Sequence, residues 1–196
     1  GGLAGGGGPG GGGGGGFGGS TAGPFVDPGE YTVRLTVDGR ELTTPVVVEA
    51  DPLVPLTTEE RAARRTAIAA IMALQAKTEP AARQVASIGS QLAAVSKSLA
   101  GAPNATPAIR NAAQAAVKEA EALETELARI NRSVTQLYGQ VNGSPFLPTR
   151  TEHDEIDDLG REFGAKASSL DTLVKTTIPA LERQMNEAGI PRIAVK

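Results

Sequence analysis

The chain has 196 residues, with 19 Lys and Arg against 22 Asp and Glu, one His and no Cys, for a formal net charge of −3. The absence of cysteine excludes disulfides and thiolate metal sites, and scattered basic residues in a slightly acidic chain give no footprint for nucleic acid. No apolar run approaches the roughly 20 residues of a membrane span, and aromatics at 3% argue mildly against sugar platforms or base-stacking surfaces in this segment.

Residues 1–24 read as a glycine-rich loop or linker. Of the first 23, 16 are glycine, interrupted by Leu3, Pro9 and Phe17, without charge and without the every-third-residue period of collagen. Glycine has no side chain to bury and loses the most entropy on ordering, so flexibility is the default. A phosphate-binding loop is not expected, because such glycines follow a strand and open a helix. Gly1 lacks a preceding methionine and a signal-peptide pattern, which suggests the C-terminal part of a longer polypeptide.

Over residues 25–52 the apolar period becomes two. Tyr31, Val33, Leu35 and Val37 alternate with Thr32, Arg34 and Thr36, and Asp38-Gly39 is a strong hairpin turn. The return runs from Leu42 to Thr44 and from Val46 to Glu49, with Pro45 marking an edge or a bulge. Two strands are marginal alone. Either further strands lie upstream, the preferred reading, or the hairpin packs on the helices.

Residues 53–191 read as a long three-helix bundle, followed by a short tail at 192–196. Thr57 and Glu60 form a capping box, and Ile68, Ile71, Met72 and Leu74 begin a helical pattern. Pro80 should kink this helix or start a new one with Thr78 as cap, while Val85, Ile88, Leu92, Val95 and Leu99 continue the seam. Thr106-Pro107 opens the second helix. Its seam of Ile109, Ala113, Ala116, Ala120, Leu123, Leu127, Ile130, Val134, Leu137 and Val141 alternates steps of four and three without a slip. A helix of this length reaches roughly 50 Å and must bury its seam against partner helices. Asn142 to Pro145 ends it, and Phe146-Leu147-Pro148 is expected to pack on the bundle end. Thr151 with Asp154 is expected to cap the last helix, whose seam runs from Ile156 to Met185 with a kink near Ile178-Pro179. Gly189 terminates it and Pro191 blocks continuation. Short connections make the three helices antiparallel, up-down-up.

Few residues invite a chemical reading. His153 and Asp157, one helical turn apart in the most acidic stretch, are the only metal-ligand candidate. The competing reading is that acids gather in a first helical turn because the macrodipole favours them there. Gln84, Ser87, Ser90, Asn131 and Gln136 read as solvated helix faces, as do the acids Glu119 and Glu121. The glycosylation-type tripeptides at Asn104, Asn131 and Asn142 are short enough to arise by chance. One histidine and no cysteine exclude most nucleophile–base arrangements. No catalytic, cofactor-binding or metal residue is therefore assigned.

The stretch Phe25-Val26-Asp27-Pro28-Gly29-Glu30-Tyr31-Thr32-Val33, continued through Pro45-Val46-Val47-Val48-Glu49-Ala50-Asp51-Pro52, and the ending Ile178-Pro179-Ala180-Leu181-Glu182-Arg183-Gln184-Met185, carry a resemblance. They resemble the C-terminal region of large secreted bacterial proteins with sialidase-like or sortilin-type β-propellers (glycosyl hydrolase, BNR repeat). The resemblance implies an α+β, mostly α fold: the C-terminal strands of an immunoglobulin-like or fibronectin-like β-sandwich, then an antiparallel three-helix bundle. The family's Asp-box repeats are absent, so no catalytic residue carries over, and the alanine-rich seams and Pro80 depart from the expected helical end. What the resemblance implies is a non-catalytic accessory or assembly module of a larger secreted, periplasmic or cell-surface bacterial protein. Its partners would be the propeller domains of the same chain, with no cofactor, no nucleic acid and no membrane span. Two alternatives stand beside it. One is a structural subunit of a bacterial surface or extracellular assembly, forming a homo-oligomer. The other is the scaffold part of a glycan-cleaving enzyme, the parent's own activity being left open.

Overall fold

The computed structural model describes residues 23–190. The glycine-rich loop up to residue 22, the stop at Pro191 and the tail at 192–196 lie outside the described residues. Two antiparallel strands, β1 (Gly29–Val37) and β2 (Arg40–Val48), precede a predominantly helical remainder. Asp38 and Gly39 take φ values of 49° and 77°, the pair of positive angles that a type I′ turn requires and whose twist matches the strands. Partners match one to one from Val37↔Arg40 to Gly29↔Val48, with Thr32 opposite Pro45. Pro45 therefore introduces no bulge. It lies within a continuous strand at the sheet's edge, where a missing N–H interrupts nothing.

The hairpin is the whole sheet among the described residues, so the structure has the two expected strands but no sandwich. The alternative of packing on the helices does not occur among the described residues, where no helix packs against either strand.

Helix α1 (Thr58–Gly101) opens on the expected capping box, with the Glu60 N–H donating to Thr57 Oγ1 at 3.2 Å and the Thr57 N–H to Glu60 Oε2 at 2.7 Å. Of the two alternatives expected at Pro80, a new helix capped by Thr78 does not occur; α1 runs as one helix through both residues. Pro80 and Ala76 both face solvent, so the Ala76 carbonyl that loses its helical donor can turn to water. Thr78 is fully buried instead, and its hydroxyl lies 2.9 Å from Asn131 Oδ1 of the next helix.

Helix α2 (Pro107–Gly143) starts at the Thr106 cap, whose Oγ1 accepts from the Ile109 N–H at 3.3 Å. All ten seam residues from Ile109 to Val141 are buried. Helix α3 (Arg150–Thr172) is capped by Thr149 rather than Thr151, with Glu152 closing the box at 2.6 Å from the Thr149 N–H. A glutamate three residues on is long enough to reach back to the cap's N–H, and this favours Thr149 over the Thr151–Asp154 pair. The irregularity expected at Ile178-Pro179 is a π turn at Leu173–Thr177, after which α4 (Ile178–Glu187) continues the rod. The wide turn spans the five-residue step between buried Leu173 and Ile178 and lets Pro179 begin a fresh α-helical segment. Gly189, at φ 67°, ends α4, and the Ile190 N–H donates to the Met185 carbonyl at 2.9 Å.

Cross-helix pairs fix the direction of each neighbour. Arg64 meets Ser144 and Thr78 meets Asn131, while Arg129 meets Glu162 and Glu119 meets Thr177, so each helix runs antiparallel to the one before. Arg129 reaches Glu162 at 2.5 Å on α3 and Glu126 at 3.3 Å on α2. These two carboxylates, Glu162 foremost, raise its pKa above the ordinary guanidinium value.

The core has two parts. One is built around Val85, Leu92, Leu127 and Leu181, the other around Ile71, Ile130, Leu137 and Leu159, with Phe163 packing on both. Along α1, Thr78–Asn131 and Gln75–Thr135 form polar cross-links between them. Asn131 is thus a half-buried hydrogen-bonding partner and not a solvated face, whereas Gln84, Ser87, Ser90 and Gln136 are exposed as expected.

Gly89 lies where α1 faces Ala120, and an added Cβ would stand 3.8 Å from Ala120 Cβ and 3.5 Å from Glu124 Oε2. Both are ordinary contacts. Gly89→Ala should therefore stabilise the bundle by about 0.5–1 kcal/mol through helix propensity alone. Urea denaturation checks this, and a loss of stability would show that the helices cannot admit even one methyl group.

Candidate interaction surface

Cross-strand partners share a face of the sheet, so Tyr31, Val33, Leu35, Val37, Leu42 and Val46 gather on one side of the hairpin. The other side carries Glu30, Thr32, Arg34, Thr36, Glu41, Thr43, Pro45 and Val47, with Arg34 and Glu41 paired at 3.8 Å. The apolar side is uncovered: Leu35 is 55% exposed, Val37 52% and Leu42 66%. Six neighbouring apolar side chains open to water form a patch of the kind that marks an interaction surface. The alternation that makes this patch is plain in the sequence.

At the base of the hairpin the Tyr31 hydroxyl donates to the Asp27 carbonyl at 2.7 Å, closing the corner through which the chain enters β1. Asp27 also pairs with Arg65 of α1, tying that corner to the start of the bundle. Between them lies an open cavity of about 410 Å³, lined among others by Phe25, Val26, Val48, Leu56 and Arg61. Its wall includes Arg64, whose guanidinium donates to the carbonyls of Ser144 at 2.7 Å, Asn142 at 3.0 Å and Val141 at 3.4 Å. The last turn of α2 has no basic residue of its own, and Arg64 supplies the positive charge that its carbonyls favour. No sequence signal distinguished Arg64 from its neighbours in the Arg-rich start of α1. Phe146 and Leu147 do not pack on the bundle end as expected; they are 61% and 38% exposed. Arg64 occupies the carbonyl end of α2 in their stead.

The chemical candidates are dispersed. His153 and Asp157 lie exposed on α3, and among the described residues no group of three or more metal-ligating side chains converges. Glu121 stays on the surface, while Glu119 is half-buried and accepts from the Thr177 hydroxyl at 3.4 Å. Among the described residues no helix is long and apolar enough to cross a membrane. Comparison with known proteins yields no matching family model, no similar curated protein and no similar solved structure.

Proposed function

We propose that this chain is a non-catalytic accessory module of a larger secreted bacterial protein, in which β1 and β2 complete a β-sandwich and the bundle acts as an assembly element beside β-propeller domains. The observation that carries the reading is the uncovered apolar face from Tyr31 to Val46, because a stable sheet buries its apolar side against a second layer. The Tyr31–Asp27 bond is a second observation in its favour. A tyrosine near a strand start, bonded through its hydroxyl to backbone a few residues upstream, has the arrangement of the tyrosine corner found in immunoglobulin-like sandwiches, which supports the reading. Val33 then stands two residues beyond the tyrosine, where antibody domains carry their second core cysteine, a position that points into the core. The propeller itself rests on the sequence resemblance.

The test is the mass of the native protein recovered with antibodies against residues 58–187. A mass far above 20.0 kDa, with peptides carrying Asp-box repeats, is expected. A native polypeptide of 20 kDa overturns the reading, and in that case self-association through the apolar face would make it a subunit of a homo-oligomeric assembly.

A further inference from the structure

The two edges of the hairpin are not equivalent. A two-residue type I′ turn makes Val37↔Arg40 a hydrogen-bonded pair, and pairs alternate from there. Thr36↔Glu41, Arg34↔Thr43, Thr32↔Pro45 and Glu30↔Val47 are consequently the pairs whose backbone groups point outward. Pro45 confirms the alternation, since it has no N–H to place in a hydrogen-bonded pair. The outer row of β2 thus has a gap at its middle, where Pro45 can donate to no neighbour. The outer row of β1 is complete: Glu30, Thr32, Arg34 and Thr36 all offer both N–H and C=O. An edge of this kind is a template for another strand, whereas a proline is a device that terminates a sheet.

We infer that β1 pairs along its free edge with a strand from the same polypeptide ahead of Gly1, leaving β2 as the outermost strand. The inference rests on the sandwich reading above and specifies its strand order. It agrees with the corner geometry, because the strand carrying the tyrosine corner is the inner one of its sheet, between two neighbours. The incoming strand presents alternate apolar residues beside Tyr31, Val33 and Leu35 and polar ones beside Glu30 and Arg34. The first 23 residues, 16 of them glycine, lack the alternation that such a strand would carry. A second copy is a poorer occupant. Pairing β1 with its own symmetry mate would join two apolar faces into one larger exposed face, still without a covering layer.

Amide hydrogen exchange on the full encoded polypeptide tests this. The outward amides of Glu30, Thr32, Arg34 and Thr36 are expected to exchange at least about a hundredfold more slowly than those of Glu41, Thr43 and Val47. Thr32→Pro should abolish the protection along β1, while Thr43→Pro, which only extends the gap at Pro45, should leave it in place. Protection along β2 instead of β1 would overturn the strand order and leave the sandwich standing. If neither row is protected and the Tyr31–Val46 face still binds a hydrophobic dye, the sandwich reading itself fails. Concentration-dependent protection of β1 in residues 1–196 alone would make a second copy the occupant and overturn the inference.

Discussion

Leu127→Ala is expected to lower the unfolding free energy by about 2–5 kcal/mol, the range for a leucine removed from a packed core. Leu127 has no exposed surface and sits near the middle of α2, in the core that all three rods of the bundle share. The seam residues beside it, Leu123 and Ile130, are themselves buried and close-packed, which leaves them little freedom to swing into the vacated space. Relaxation is further limited by the ties on either side of the site, Thr78–Asn131 between α1 and α2 and Arg129–Glu162 between α2 and α3. The cavity should therefore persist, which argues for the upper half of the range. Leu53→Ala, at a position 85% exposed, is the matched control and should stay within about 0.5 kcal/mol. Denaturant unfolding followed by helical circular dichroism measures both. A loss below about 0.5 kcal/mol at Leu127 would mean that the seam is not the core of this chain.

The helices were legible because a 3.5-residue apolar repeat over ten positions has one solution in space. Every seam residue of α2 is buried where the spacing put it. The hairpin was legible for a similar reason: Asp38-Gly39 fixes the turn, and the turn fixes the register. What the sequence obscured were choices settled by tertiary context. Pro80 is a breaker by rule, yet it lies on the solvent face, where the freed carbonyl needs no protein partner. Thr78 reads as a cap from its place before the proline, but burial against Asn131 assigns its hydroxyl elsewhere. Thr149 and Thr151 offer equal hydroxyls, and only the reach of Glu152 separates them. The interaction surface was half visible. Alternation shows that β1 has an apolar side, but only the observed register, which sets Pro45 opposite Thr32, shows that the two edges of the hairpin differ.

Arg64→Ala is expected to cost about 1.5–3 kcal/mol, the range for hydrogen bonds made by a charged donor, with the lower half favoured because the guanidinium is only part-buried. One planar group serves the carbonyls of Val141, Asn142 and Ser144 together, which an ammonium cannot reproduce in the same geometry. Arg64→Lys should therefore recover less than half of the loss. Alanine in place of Arg64 leaves three carbonyls at the end of α2 dependent on water and removes the positive charge that opposes the helix dipole there. Damage should be local as well as global. Amides in the last two turns of α2, from Gln136 to Gly143, should exchange faster in Arg64→Ala, while those around Leu127 change only in step with overall stability. The same substitution removes a wall of the cavity beside Asp27, so the tie between hairpin and bundle should come to depend on the Arg65–Asp27 pair. Adding Arg65→Ala to Arg64→Ala should then free the hairpin from the bundle end, read as hairpin amides whose NMR relaxation no longer follows that of the helices. Full rescue by lysine, or unchanged exchange at Gln136 to Gly143, would show that Arg64 acts as bulk charge and not as the cap of α2.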